Sequence, residues 1–181
     1  MKPYHLLFLC THNSARSILG EALASTHPSG KFVGHSAGST PGGKVNPFAA
    51  ELAIQMGYPA DKLRSKSWEE FAGPAAPAMD FIITVCDNAA GEMCPIWPGK
   101  PATAHWGFPD PSQVQGDDEI KRKAFYEVMA GLRQRITLLA ELPLDRLDAL
   151  SLQTDLRKLA DRKSIRLNSS HVSESRMPSS A

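Results

Sequence analysis

Tyr4-His-Leu-Leu-Phe-Leu-Cys10-Thr-His-Asn-Ser-Ala-Arg16-Ser-Ile-Leu-Gly-Glu-Ala-Leu-Ala24 joins an apolar run to an amphipathic one through a short polar stretch. Residues 4–9 are apolar almost without interruption. That is the pattern of a strand buried on both faces of a parallel sheet, not the alternation of a half-exposed strand. Residues 10–16 are mostly small or polar and form a loop. From Ser17 the apolar side chains Ile18, Leu19, Ala22 and Leu23 fit one face of a helix.

Outward from this unit the alternation continues. Residues 31–37 form a second short strand, followed by a Gly-rich loop at 38–43. Asn46 and Pro47 supply an N-cap and a first-turn proline for a helix to about Met56, closed by Gly57. Ser67 and Glu70 make a capping box for a smaller helix. Residues 79–85 are a third apolar strand, 86–94 a polar Gly-containing segment, and 95–99 a turn. A short strand near 101–105 leads into the loop Trp106-Gly-Phe-Pro-Asp-Pro111. A long amphipathic helix covers about 117–141, and another 144–161. Strands alternating with helices predict an α/β fold: a three-layer α/β/α arrangement around a central, mostly four-stranded parallel sheet. Ligands bind such sheets at the carboxyl ends of the strands. Cys10, Cys86 and the 106–111 loop each follow a predicted strand, so they share one edge.

The chain of 181 residues is 42% apolar and 22% charged, with a net charge of +1. That balance gives no reason to expect a nucleic-acid or membrane partner, and any bound anion must be attracted by local donors. No apolar run approaches a membrane span, and residues 4–9 are too short for a signal-peptide core. Three cysteines argue against a disulfide framework. A cytoplasmic location is expected. The expected organisation is a domain over 1–143, a helical extension over 144–162, and a Ser-rich disordered tail over 163–181 of foreign character.

Successive N–H groups of Thr11, His12, Asn13, Ser14, Ala15, Arg16 and Ser17, leading into a helix N-terminus, make a concave cradle for a tetrahedral oxyanion. Arg16 adds a bidentate fork. The same positive surroundings favour the Cys10 thiolate, and Ser17 is placed to donate to its sulfur. The competing reading is a cysteine that merely ends a buried strand. The company of a five-residue polar spacer, Arg-Ser and a helix weighs against it.

The run from Leu7 to Ser17 resembles the active-site loop of the low-molecular-weight protein tyrosine phosphatase superfamily, over about residues 4–141. The resemblance implies that superfamily's fold, with Cys10 as nucleophile and Asp110 of Phe108-Pro-Asp-Pro111 as general acid. The plainer reading of Asp110-Pro111 is a common turn dipeptide. Phosphatases of this type carry tyrosines just after Asp-Pro, whereas Ser112-Gln-Val-Gln115 stands here, which suggests a small inorganic oxyanion as substrate.

The segment Thr84-Val-Cys86-Asp-Asn-Ala-Ala-Gly-Glu-Met-Cys94-Pro95 resembles the redox segment of arsenate reductases built on this fold. The resemblance implies a cascade. Cys10 attacks arsenate with Asp110 as proton donor. Cys86 attacks Cys10 and releases arsenite, and Cys94 carries the disulfide outward to thioredoxin or to glutathione and glutaredoxin. No tightly bound cofactor is implied. As alternatives, Cys86 and Cys94 are buried fillers or a metal site, although C-x7-C without a nearby His suits zinc poorly. Two departures from the pattern stand out. Seven residues separate Cys86 from Cys94 where six are usual, and Ala15 stands where a cysteine is frequent. Asn13, Glu21 and Ser36 match positions that hold potassium in some members, but an acidic fourth ligand is missing and no metal is expected. The runner-up functions are phosphotyrosine hydrolysis, which needs no Cys86, and a non-catalytic oxyanion-binding or redox-sensing module.

Overall fold

Strand β1 (Tyr4–Cys10) lies inside the sheet. It pairs in parallel with β2 (Phe32–Gly38) on one side and β3 (Phe81–Thr84) on the other, and β4 (Ala102–His105) extends β3. The strand order is β2-β1-β3-β4. The computed structural model describes residues 2–86, 101–145 and 149–167. The expected Gly-containing segment and turn between Cys86 and Lys100 lie outside the described residues, and Cys94 with them.

The pleat explains the unbroken apolar run. Leu6, Phe8 and Cys10 enter one core with Leu19, Leu132 and Leu156. Leu7 and Leu9 enter a second with Phe71, Met79 and Ile82. All four residues from Leu6 to Leu9 are fully buried, each contributing about 1.5–3 kcal/mol of hydrophobic stabilisation. The larger core carries the helices α1 (Arg16–Ser25), α2 (Pro47–Gln55), α3 (Asp118–Glu141) and α4 (Ala149–Leu167).

The end signals act as expected for α2 and α3. Asn46 Oδ1 accepts from the Phe48 N–H at 2.9 Å, and Asp117 Oδ1 from the Ile120 N–H at 3.0 Å. The Ser67 signal gives less than expected: one 3-10 turn over Trp68–Phe71. Ser67 Oγ accepts from the Glu69 N–H, but Glu70 does not reach back. Both its oxygens are taken by Arg64, at 2.9 and 2.6 Å, a bidentate pairing stronger than a neutral cap contact.

Helix α4 begins at Ala149, later than expected, and continues through Leu167, past the boundary expected at residue 163. Lys163, Arg166 and Leu167 are residue types a helix accepts. It packs against β4 and α3. Trp106 Nε1 donates to the Leu156 carbonyl at 3.1 Å, and Leu156 and Leu159 belong to the larger core. Among the described residues no helix is long and apolar enough to cross a membrane.

Candidate active site

Parallel pairing brings the chemistry to one edge. Leu9 pairs with Thr84 and the Val85 N–H donates to the Leu9 carbonyl, so Cys86 emerges beside Cys10. The Trp106 N–H donates to Thr84 O and the Phe108 N–H to Val85 O, which folds the Asp110 loop onto the same rim.

Within the loop, Cys10 Sγ lies 2.9 Å from Ser17 Oγ and accepts from the Asn13 N–H at 3.2 Å. Asn13 Nδ2 donates to Ser17 Oγ at 2.8 Å. That hydroxyl is therefore already an acceptor, and its proton is directed at the sulfur. Asn13 is fully buried and sits in the left-handed region, with φ of 50°. Its Oδ1 accepts from the Lys66 N–H at 2.8 Å. Gly38 makes this packing feasible, because a Cβ there would stand 2.6 Å from the Thr11 carbonyl oxygen. Ala15 precedes α1 without a side-chain cap, which leaves the orphan N–H groups of the first turn to an anion.

Cys86 Sγ is 3.7 Å from Thr11 Oγ1, beside the Cys10 loop. Cys10 and Cys86 are both buried. These surroundings modify the expectation of a readily formed Cys10 thiolate. Cys86 and then burial push Cys10 well up, while Ser17 pulls it down. A negative charge on one sulfur disfavours a charge on its neighbour. Ser17→Ala should therefore move the pH midpoint of Cys10 alkylation by iodoacetamide upward. The measurement is cleanest with Cys86 and Cys94 replaced by serine, and an unmoved midpoint removes Ser17 from this role.

Arg16 reaches across to the Asp110 loop. One terminal nitrogen donates to the Phe108 carbonyl at 2.9 Å, and the other is 3.5 Å from Asp110 Oδ2. Asp110 Oδ1 is occupied by the N–H and hydroxyl of Ser112, at 2.9 and 2.7 Å. These contacts leave Oδ2 as the oxygen facing Arg16. Asp110 thus does form a turn, as the plainer sequence reading held, and the turn aims its carboxyl.

Beneath the loop lies a buried polar cluster. Lys66 Nζ is 3.3 Å from Glu21 Oε1, 3.2 Å from Ser36 Oγ and 3.0 Å from the Arg64 carbonyl. The Tyr58 hydroxyl donates to the other Glu21 oxygen. The ammonium already supplies the positive charge that Glu21 and Ser36 surround, so the cluster does not fit a potassium ion as well. Lys66→Met leaves a buried carboxylate without its cation. The expected loss is about 3–5 kcal/mol, read as a lower midpoint in urea unfolding. A midpoint equal to that of the unaltered chain would contradict the pairing.

Cys10, Arg16, Cys86 and Asp110 thus converge, with Thr11, Asn13, Ser14, Ala15 and Ser17 forming the loop. The His12 ring does not join them: it is exposed and its Nδ1 sits 3.2 Å from the Thr40 carbonyl. His105 Nδ1 lies 2.8 Å from Thr84 Oγ1, beneath the Asp110 loop. Two groups escaped the sequence reading, the Phe108 carbonyl and Lys66, and neither had left a signal there.

Residues 5–151 match the family described as low molecular weight phosphotyrosine protein phosphatase. An arsenate reductase of Halalkalibacterium halodurans is 32% identical over 136 residues, 75% of this chain and 94% of its own. One of Bacillus licheniformis is 33% identical over 142 residues, 78% and 98% of the two chains. Among solved structures, the thioredoxin-dependent arsenate reductase of Corynebacterium glutamicum superposes with a TM-score of 0.50 at 25% identity, covering 76% of this chain and 63% of that one.

Proposed function

The chain belongs to the low molecular weight phosphotyrosine protein phosphatase family, and from that premise we propose that it reduces arsenate to arsenite by thiol chemistry. The observation that carries the reading is a second buried thiol at the nucleophile loop: Cys86 follows the strand paired with that of Cys10, and its Sγ lies 3.7 Å from Thr11 Oγ1. Phosphoryl transfer has no use for a second thiol at the nucleophile, whereas a two-electron reduction requires one.

The loop N–H groups and Arg16 receive the tetrahedral anion. Cys10 sulfur attacks arsenic and an As–O bond breaks, with Asp110 protonating the departing oxygen as water. Cys86 thiolate then attacks Cys10 sulfur. The As–S bonding pair passes to arsenic, arsenite leaves, and a Cys10–Cys86 disulfide remains. Cys94 attacks Cys86, frees Cys10, and presents a Cys86–Cys94 disulfide to the reductant. Thioredoxin is the reductant we favour, with glutathione and glutaredoxin as the alternative. No tightly bound cofactor is needed, the substrate is a small oxyanion, and the reducing chemistry suits the cytoplasm.

The test has two parts. Without reductant, fully reduced protein mixed with arsenate should yield one arsenite per chain and lose one pair of free thiols. With thioredoxin, thioredoxin reductase and NADPH, turnover should become continuous. Continuous turnover only with glutathione and glutaredoxin would reassign the reductant, and no arsenite in any mixture would end the reading.

A further inference from the structure

Arg135 is an oddity of α3. It is 2% exposed on the face that also buries Leu132, Ile136 and Leu139. Burying a guanidinium is costly unless its donors are satisfied. The partners come from α4: Nε donates to the Leu159 carbonyl at 3.2 Å and one terminal nitrogen to the Ala160 carbonyl at 3.4 Å. The other terminal nitrogen donates to the Gly131 carbonyl at 3.4 Å. Held this way, the guanidinium carbon stands 4.4 Å from the centroid of the Phe108 ring, within cation–π range. On the same helix, one turn away, Gly131 gives the ring its space, since a Cβ there would meet Phe108 Cε1 at 2.7 Å.

Phe108 is the junction of the catalytic rim. Its N–H is tied to Val85, adjacent to Cys86. Its carbonyl holds Arg16, and Asp110 lies two residues on. A side chain that fixes the Phe108 ring therefore fixes the backbone that aims both the anion-binding arginine and the acid.

We propose that Arg135 is a positioning residue for the reaction. Clamped by the carbonyls of α4, it sets the Phe108 ring and through it Arg16 and Asp110, so the C-terminal helix is part of the catalytic apparatus. The proposal rests on the function proposed above for its turnover readout, and on the anion loop alone for its second readout.

The experiment uses the full chain with Arg135→Met, Arg135→Lys, Phe108→Leu and the double variant Arg135→Met/Phe108→Leu, each assayed well below its unfolding transition. Arsenate turnover is measured with the working reductant. Inorganic phosphate is titrated as a protectant of Cys10 against iodoacetamide. Arg135→Met should lose roughly 10- to 100-fold in turnover, the scale of a small misplacement of catalytic groups, and should need several-fold more phosphate for protection. The rate of Cys10 alkylation without phosphate should stay unchanged, because Asn13 and Ser17 are untouched. Since Arg135 acts through Phe108, the double variant should fall no further than the worse single one. A lowered melting temperature with turnover and phosphate protection within about twofold of the unaltered chain would overturn the proposal. So would fully multiplicative losses. Should Arg135→Met fail to fold, Arg135→Lys takes its place: it keeps the charge and loses the two-carbonyl fork, and the same criteria apply. Weaker phosphate protection in a chain that reduces no arsenate would uphold the positioning role while ending the functional reading.

Discussion

Replacing Cys86 with serine should abolish continuous arsenate reduction, by on the order of 10³-fold or more, as loss of an essential nucleophile does. The substitution is nearly isosteric, and a serine hydroxyl can stay beside Thr11 Oγ1, which lies 3.7 Å from Cys86 Sγ. What it cannot do is attack a sulfur and release arsenic with its electron pair. Hydrolysis of an aryl phosphate needs the nucleophile, the arginine and the acid, so that activity should persist in the same variant. The paired assay separates the candidate functions. Unchanged reduction would discard the cascade, and a chain in which reduction is absent and hydrolysis is sensitive only to Cys10, Arg16 and Asp110 would be a phosphatase. No turnover of either substrate by the unaltered chain would point to a binding or sensing module.

Asp110→Asn should lower the rate of arsenite release in a single turnover by about 10²- to 10⁴-fold, the range for loss of a positioned general acid. The amide oxygen can take over the two Ser112 contacts, so the turn should keep its shape. The group left near Arg16 then carries no ionisable proton, and the departing oxygen must draw one from solvent. Phosphate protection of Cys10 should remain within a few-fold, since the loop donors are intact. Equal loss of binding and rate would instead mean that the Asp110–Arg16 contact, 3.5 Å in this structure, chiefly holds the arginine in place.

Much of this arrangement was legible in the sequence because it depends on local patterns. The apolar run ending at Cys10 marks a doubly buried strand, and the register of a parallel sheet then dictates which loops share an edge. Asn46-Pro47 and Asp117 act within a few residues, so their signals survive folding. Ser67–Glu70 did not, because a distant guanidinium outcompeted the local cap. Neither the upward push of Cys86 on the Cys10 pKa nor the cluster around Lys66 could be read from spacing. Each joins residues far apart in the chain, and their effect on ionisation depends on burial that only packing creates. Helix α4 runs on to Leu167 for a similar reason: a polar segment continues a helix whose preceding turns are anchored by Trp106 and Arg135.

The anchoring of Trp106 and Arg135 on α4 also constrains the order in which the protein can be made. A ribosome delivers the Cys10 loop well before the residues that satisfy the buried indole and guanidinium. Until residues 156–160 have emerged, the ring of Phe108 lacks its backstop and an apolar face of the sheet stays uncovered, the sort of surface that recruits chaperones. The rim around Phe108 therefore closes only after α4 has formed, well after the Cys10 loop has left the ribosome.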